Sequence, residues 1–249
     1  MDSILIIGQS NMAGRGPLLD APEIDPNSNI YVARNCKWVN LFRPVNPDRK
    51  FAGYNLVEQF ASLYQKDFKV PVGIIPCADG GTNIDQWQPN EVLFENAVSC
   101  AKLCQKTSNL VAILWHQGES DCPLSRYKEY GKKLKVVLDS FRERLGENIP
   151  IIIGEIGYFT KNYFAKENRN HTSINKALKE YAQNTPNCAI VSAKGLKDKG
   201  DNLHFNTSSL MTFGTRYYKA FKKIVNANKK MPMANNSNQT VQLSEMEKL

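Results

Sequence analysis

The chain has 249 residues, 42% of them hydrophobic and 22% charged, with 32 Lys and Arg against 24 Asp and Glu for a formal charge of +8. A chain of this size buries a full core without a disulfide scaffold, and no apolar run in it approaches the roughly 20 residues of a membrane-spanning helix. The surplus lysines are spread over several predicted helices with acids between them, as at Lys132, Lys133 and Lys135. They read as solvated helix faces, and no nucleic-acid partner is expected.

The first apolar run, Ile4-Leu5-Ile6-Ile7, is too short for a signal-peptide core and is preceded by Asp2 where a basic region belongs. The chain as it stands reads as cytoplasmic, although one from which a leader had been removed would read the same. Residues 3–7 form the first predicted strand. Residues 16–53 are rich in proline (Pro17, Pro22, Pro26, Pro44, Pro47) and read as a loop excursion over one sheet edge, with room for a short strand at 30–33. Helices are then expected at 55–67, 91–107, 125–145, 173–184 and 208–227, and strands at 72–77, 110–115, 149–155 and 188–192. In the last helix Leu210, Phe213, Tyr217, Phe221 and Ile224 recur at three- and four-residue steps, which makes one apolar face.

Short β-branched runs alternating with longer amphipathic ones imply parallel strands joined by crossover helices. The expected fold is therefore α/β: a three-layer α/β/α sandwich on a five-stranded parallel sheet, in one domain over residues 1–228. Residues 229–249 lack a sustained apolar period and read as a mobile tail, or as one whose last residues, from Val241, dock as a short helix. Of the six cysteines, Cys77 and Cys188 fall in strand-like runs as buried thiols. Cys100 and Cys104 stand one helical turn apart with no further ligand nearby in sequence, so no metal is expected.

Four polar segments follow predicted strands or precede the last helix: Gly8-Gln9-Ser10-Asn11, Gly80-Gly81-Thr82, His116-Gln117-Gly118-Glu119-Ser120 and Asp201-Asn202-Leu203-His204. In a parallel sheet the carboxyl ends of the strands share one crevice, so these segments can converge there. A serine hydroxyl is a poor nucleophile until an imidazole takes its proton, and the imidazole needs a carboxylate to set its tautomer. Only His116, His171 and His204 are available as the base. Each piece has a bland reading. Ser10 and Asn11 can cap a helix, His204 can be solvated, and Asp201 beside Gly200 suits a turn. The coincidence of all four segments favours a split hydrolytic site.

The pieces GQSNMAGRG (8–16), GGTNIDQW (80–87), WHQGESD (115–121) and DNLHFN (201–206) resemble, in order, those of the SGNH hydrolase superfamily, and within it the sialate O-acetylesterase-like carbohydrate esterases, which are related to acetylxylan esterases. The resemblance implies a flavodoxin-like sheet, a serine esterase that removes acetyl groups from sugar hydroxyls, and an acetylated carbohydrate as substrate. It implies Ser10 as nucleophile, His204 as general base and Asp201 as its orienting acid, with Glu119 as the alternative acid. The oxyanion hole would comprise the N–H of Ser10, that of Gly81 (or Gly80), and the side chain of Gln117, which stands where the superfamily has asparagine. Arg15 either lines the pocket or makes a surface salt bridge, and Trp87 either stacks on a sugar or packs. His116 holds its loop by hydrogen bonds, and His171 sits solvated in a polar loop. No cofactor is implied.

Competing readings fit less well. A phosphate loop needs G-x-x-x-x-G-K-[ST], but position 13 is alanine and Gly14 is followed by Arg15. The elbow G-x-S-x-G of α/β-hydrolases fails at Met12. A carbohydrate-binding module on the same fold without turnover is the alternative from another class. Oligomeric state and the particular sugar are not legible.

Overall fold

The computed structural model describes residues 1–123 and 125–230; the tail from residue 231 lies outside the described residues. The chain opens with β1 (Asp2–Gly8) and the short helix α1 (Ser10–Ala13), then runs through β2 (Ile30–Arg34), β3 (Lys37–Asn40), α2 (Leu56–Phe68), β4 (Val72–Pro76) and α3 (Val92–Cys104). It continues with β5 (Asn109–His116), α4 (Tyr127–Leu145), β6 (Ile151–Gly154), α5 (His171–Asn184), β7 (Cys188–Val191) and α6 (Thr207–Lys230). The strand order is β3-β2-β4-β1-β5-β6-β7. All neighbours are parallel except the β2–β3 hairpin.

The five expected strands are all present, but the sheet has seven. The difference is the excursion after β1, where the short strand at 30–33 pairs with β4 and is extended by β3. The hairpin turns on Asn35 and Cys36, both at positive φ (49° and 61°). Two central residues of that kind match the twist of the flanking strands, but Asn-Cys is not the Asn-Gly that announces such a turn. β3 offers no alternating pattern either, since its two central residues are half-buried and its two end residues exposed. Trp38 from it lies across Gly73, where a Cβ would come within 2.4 Å of the indole ring.

β1 is central and fully covered, which is why its apolar residues run without a break. Ile4 and Ile6 face a layer made by Phe60 of α2 and Phe213, Tyr217 and Phe221 of α6. Leu5 and Ile7 face the other, with Phe94 of α3, Leu138 and Phe141 of α4, and Ile174 of α5. The three-layer sandwich follows from this alternation. α2 starts in a capping box, Asn55 accepting from the Val57 N–H and Glu58 reaching back to the Asn55 N–H. The Asn55 amide also donates to Met12 O at 2.6 Å, tying α1 to α2.

After β1 the chain crosses to the β2–β4 side and only later reaches β5 on the other. The carboxyl ends of β1 and β5 thus meet at a topological switch point, where open α/β sheets bind ligands. Gly8 is what lets them meet: at φ +131° a Cβ there would fall 2.1 Å from the His116 carbonyl oxygen. The bare backbone instead allows the Gln9 N–H to donate to that oxygen at 2.9 Å.

Candidate active site

Loops after five parallel strands surround a cleft of about 440 Å³ lined by Gln9, Ser10, Arg15, Arg49, Phe51, Gly80, Gly81, Glu119, Ser120, Tyr163, Phe164, Leu203 and His204. A larger hollow of about 840 Å³ lies at the opposite rim, among Phe68, Leu110, Gly146 and Val225, and holds none of the four polar segments.

The structure brings Ser10, His204 and Asp201 together in series. Ser10 Oγ is 3.0 Å from His204 Nε2, and His204 Nδ1 is 2.7 Å from Asp201 Oδ2. The Asp201 loop builds this locally: Oδ1 accepts the N–H groups of Leu203 (3.0 Å) and His204 (2.8 Å), curling the chain so that Oδ2 meets the imidazole three residues on. Partial burial pushes the Asp201 carboxyl up, but the His204 N–H, its imidazole and the Leu203 N–H outweigh that and hold it below the usual range. A carboxylate that stays ionised keeps the Nδ1 proton facing it, which leaves Nε2 free to accept.

Glu119 does not reach His204. Its Oε1 accepts from His116 Nε2 (3.1 Å) and Asn11 Nδ2 (2.6 Å) behind the cleft. Burial pushes this carboxyl up, yet the attraction and hydrogen bond of His116, with the Asn11 amide, bring it below the usual range. His116 thus holds its loop as the sequence suggested. His171 departs from expectation: it is the first residue of α5, half-buried and edge-on to Tyr158, and desolvation lowers its pKa.

Gln117 is not at the cleft. Its fully buried Nε2 is within 2.6 Å of Asp121 Oδ2, 3.1 Å of Thr82 O and 3.2 Å of Gln9 Oε1, so both of its hydrogens are committed. The amide that faces the cleft belongs to Gln9. Its Oε1 accepts from Gln117 Nε2 and from the N–H groups of Gly118 (3.3 Å) and Ser120 (3.3 Å). Three donors on one oxygen fix the amide's orientation and leave Nε2 on the cleft side. Among the described residues, that Nε2 and the N–H groups of Ser10 and Gly81 have no protein acceptor. The signal was present in the sequence as the residue preceding Ser10, but which of two glutamines faces inward is a matter of packing.

The glycine loop is clamped from below. Arg15, expected either in the pocket or in a surface salt bridge, makes a buried bidentate pair with Asp48 (2.6 Å at the closer contact) in the cleft wall. Asp48 Oδ2 also takes the Gly80 N–H at 2.8 Å, so of the two glycines only Gly81, at φ +81°, keeps its N–H free. Trp87 is not a sugar platform: it is fully buried, edge-on to Trp115, with its indole N–H on Thr82 Oγ1 at 3.0 Å. The exposed aromatic rings at the cleft are Phe51 (65% exposed) and Tyr163 (52%), with Phe164 beside them. The Phe51 ring lies over the Arg15 guanidinium at 5.2 Å. Both rim residues sit in loops without a recognisable pattern, which is why the sequence did not disclose them.

Asp121 is the structural carboxylate beneath the oxyanion loops, accepting from Gln117 Nε2 and the Ile84 N–H (2.9 Å) while its buried Oδ1 has no partner among the described residues. Burial pushes it up to about 6, only partly offset by the Gln117 and Ile84 hydrogen bonds. A carboxyl raised in the folded state contributes stability below its unfolded pKa of 3.8 and loses it as pH rises through about 6. The stability of Asp121→Asn relative to the parent should therefore shift by about 2–3 kcal/mol in the variant's favour between pH 4 and 7.5. Urea unfolding at the two pH values measures this, and a pH-independent difference would refute it.

A parallel-sheet sandwich with Ser, His and Asp in series at its carboxyl rim is the arrangement of the SGNH hydrolases. The family model described as carbohydrate esterase, sialic acid-specific acetylesterase, matches residues 1–223, and the chain belongs to that family and is a carboxylic ester hydrolase. It is 28% identical over 244 residues to a probable carbohydrate esterase of Arabidopsis thaliana, covering 87% of this chain and 88% of the relative. An Arabidopsis thaliana X-ray structure superposes with a TM-score of 0.79 at 27% identity, covering 89% of this chain and 98% of that one. The structure of NanS (TM-score 0.71, 16% identity, 91% and 98% covered) shares the fold. So does a carbohydrate acetylesterase from Xanthomonas citri (0.66, 16%, 91% and 56%). No helix among the described residues is long and apolar enough to cross a membrane.

Proposed function

We propose that the chain removes O-acetyl groups from carbohydrates through an acetyl-enzyme on Ser10. The observation that carries this reading is the unbroken series from Ser10 Oγ through the His204 imidazole to Asp201, at 3.0 and 2.7 Å. Ser10 Oγ attacks the acetyl carbonyl as its proton passes to His204 Nε2. The tetrahedral intermediate collapses, and the sugar oxygen departs with that proton. Water then attacks the acetyl-serine, giving its proton to Nε2; acetate leaves and Ser10 is reprotonated. Asp201 stays ionised throughout and steadies the imidazolium.

The developing oxyanion is met by the N–H groups of Ser10 and Gly81 and by Gln9 Nε2, in place of Gln117. These donors are held before the substrate arrives, so the transition state gains their full electrostatic effect without reorganisation. Phe51, Tyr163 and Phe164 provide the apolar faces on which the C–H surface of a sugar ring packs, while Arg15 acts through Asp48 to hold the glycine loop. A module that only bound sugar would have no use for a hydroxyl activated by imidazole and carboxylate.

Acetate release tests this, with acetylated xylo-oligosaccharides, O-acetylated sialic acid and aryl acetate, butyrate and octanoate as substrates. The expected result is release of acetate from at least one sugar class and from the aryl acetate, with rates falling as the acyl chain lengthens. Sugar binding without acetate release would overturn the proposal.

A further inference from the structure

The Asn11 side chain straddles the histidine of the catalytic series. Its Oδ1 accepts the Phe205 N–H at 3.1 Å, and its Nδ2 donates to Leu203 O at 3.1 Å. The residues on either side of His204 therefore hang from one carboxamide carried by α1, the same short helix that carries Ser10. The other Nδ2 hydrogen goes to Glu119 Oε1 at 2.6 Å, which also holds His116 Nε2. Asn11 and His116 are fully buried and Glu119 is 1% exposed. His116 is wedged edge-on between Phe205 and Phe213, with Tyr217 beyond.

An amide of this kind can be turned over, exchanging its donor and acceptor ends. An ionised carboxylate only accepts, so Glu119 admits a single orientation of Asn11. In the reversed one, Asn11 Oδ1 would face both the carboxylate and the Leu203 carbonyl, and its Nδ2 would face the Phe205 N–H. Burying a charge costs several kcal/mol unless other interactions offset it, and of the two side chains that bond the Glu119 carboxylate, Asn11 and His116, it is Asn11 that holds the segment carrying His204. We infer that Glu119 is a positioning residue acting through Asn11, which holds the His204 backbone in register with Ser10, and that it is not the acid partner of the imidazole. This rests on the reading of Ser10, His204 and Asp201 as the reacting series.

A double-variant cycle on aryl acetate hydrolysis tests the inference. Asn11→Ala and Glu119→Gln should each lower kcat with KM little changed, by up to about 10²-fold, the cost of a misplacement near 1 Å. Because both act on one element, the combined variant should be no slower than Asn11→Ala alone, within about threefold. Glu119→Gln is isosteric but removes the charge and adds a donating end, so Asn11 is no longer held to one orientation, and it tests the inference even if Asn11→Ala fails to fold: unchanged kcat in Glu119→Gln would overturn the positioning role. Losses that multiply in the double variant would also overturn it, because Glu119 would then act on the site directly. Ser10→Ala separates the two levels: if it retains turnover, the reading of the reacting series fails, whereas with it inactive only the relay is in question.

Discussion

Ser10→Ala should lower hydrolysis of an aryl acetate by about 10⁴- to 10⁶-fold, the loss seen when a nucleophile that works as one unit with its base is removed. The size of the effect follows from the geometry. Ser10 carries the hydroxyl that meets the His204 imidazole in the cleft, 3.0 Å from Nε2. Without it, the imidazole and the oxyanion donors can only assist direct attack by water. The fold should be unaffected, because Oγ makes no hydrogen bond other than that to His204 among the described residues and the backbone contacts of α1 run through Gln9 O and Ser10 O. Steady-state rates and a thermal melt on the same preparation check both halves, and turnover within tenfold of the parent in a folded Ser10→Ala would remove Ser10 from the mechanism.

The second large effect is expected one residue earlier. Gln9→Glu preserves shape and leaves a carboxylate oxygen to accept from Gln117, Gly118 and Ser120, so the scaffold of three converging donors survives. The atom turned to the cleft changes from a donating nitrogen to a negatively charged oxygen, placed where the reaction develops negative charge. Removing one oxyanion donor costs about 10²- to 10³-fold in kcat, and repulsion adds to that loss. Single-turnover acetylation rates should register it while the melting temperature moves little. A variant that acetylates at the parent rate would return the third donor's identity to question.

How far the site could be read from the sequence differs residue by residue. Ser10, Asp201 and His204 were legible because each closes a motif whose spacing has a local cause: the strand-to-helix step after Ile7, and the three-residue span over which Asp201 caps its own loop and reaches the imidazole. Gly81 could be preferred to Gly80 but not decided, since the choice depends on Asp48, a residue in the proline-rich excursion that takes the Gly80 N–H. Gln117, expected at the cleft, lies behind it and Gln9 lines it, for one reason. Both are adjacent in sequence to cleft residues, and only the packing of β5 beside β1 settles which amide is spent on Asp121 and which lines the cleft.

The sequence by itself determined the layer architecture, because the strand of continuous burial and the helices of 3.6-residue period are properties of neighbouring residues. It likewise determined the chemical identity of the hydroxyl, imidazole and carboxylate. The tertiary structure alone decided the hairpin that widens the sheet to seven strands, the aromatic rim of Phe51 and Tyr163, the burial of Trp87, and the separation of Glu119 from the imidazole. Those features depend on contacts between segments far apart in the chain, such as Asn11 with Glu119 and Leu203. Local pattern carries no information about which of several polar side chains will be turned inward when such segments meet.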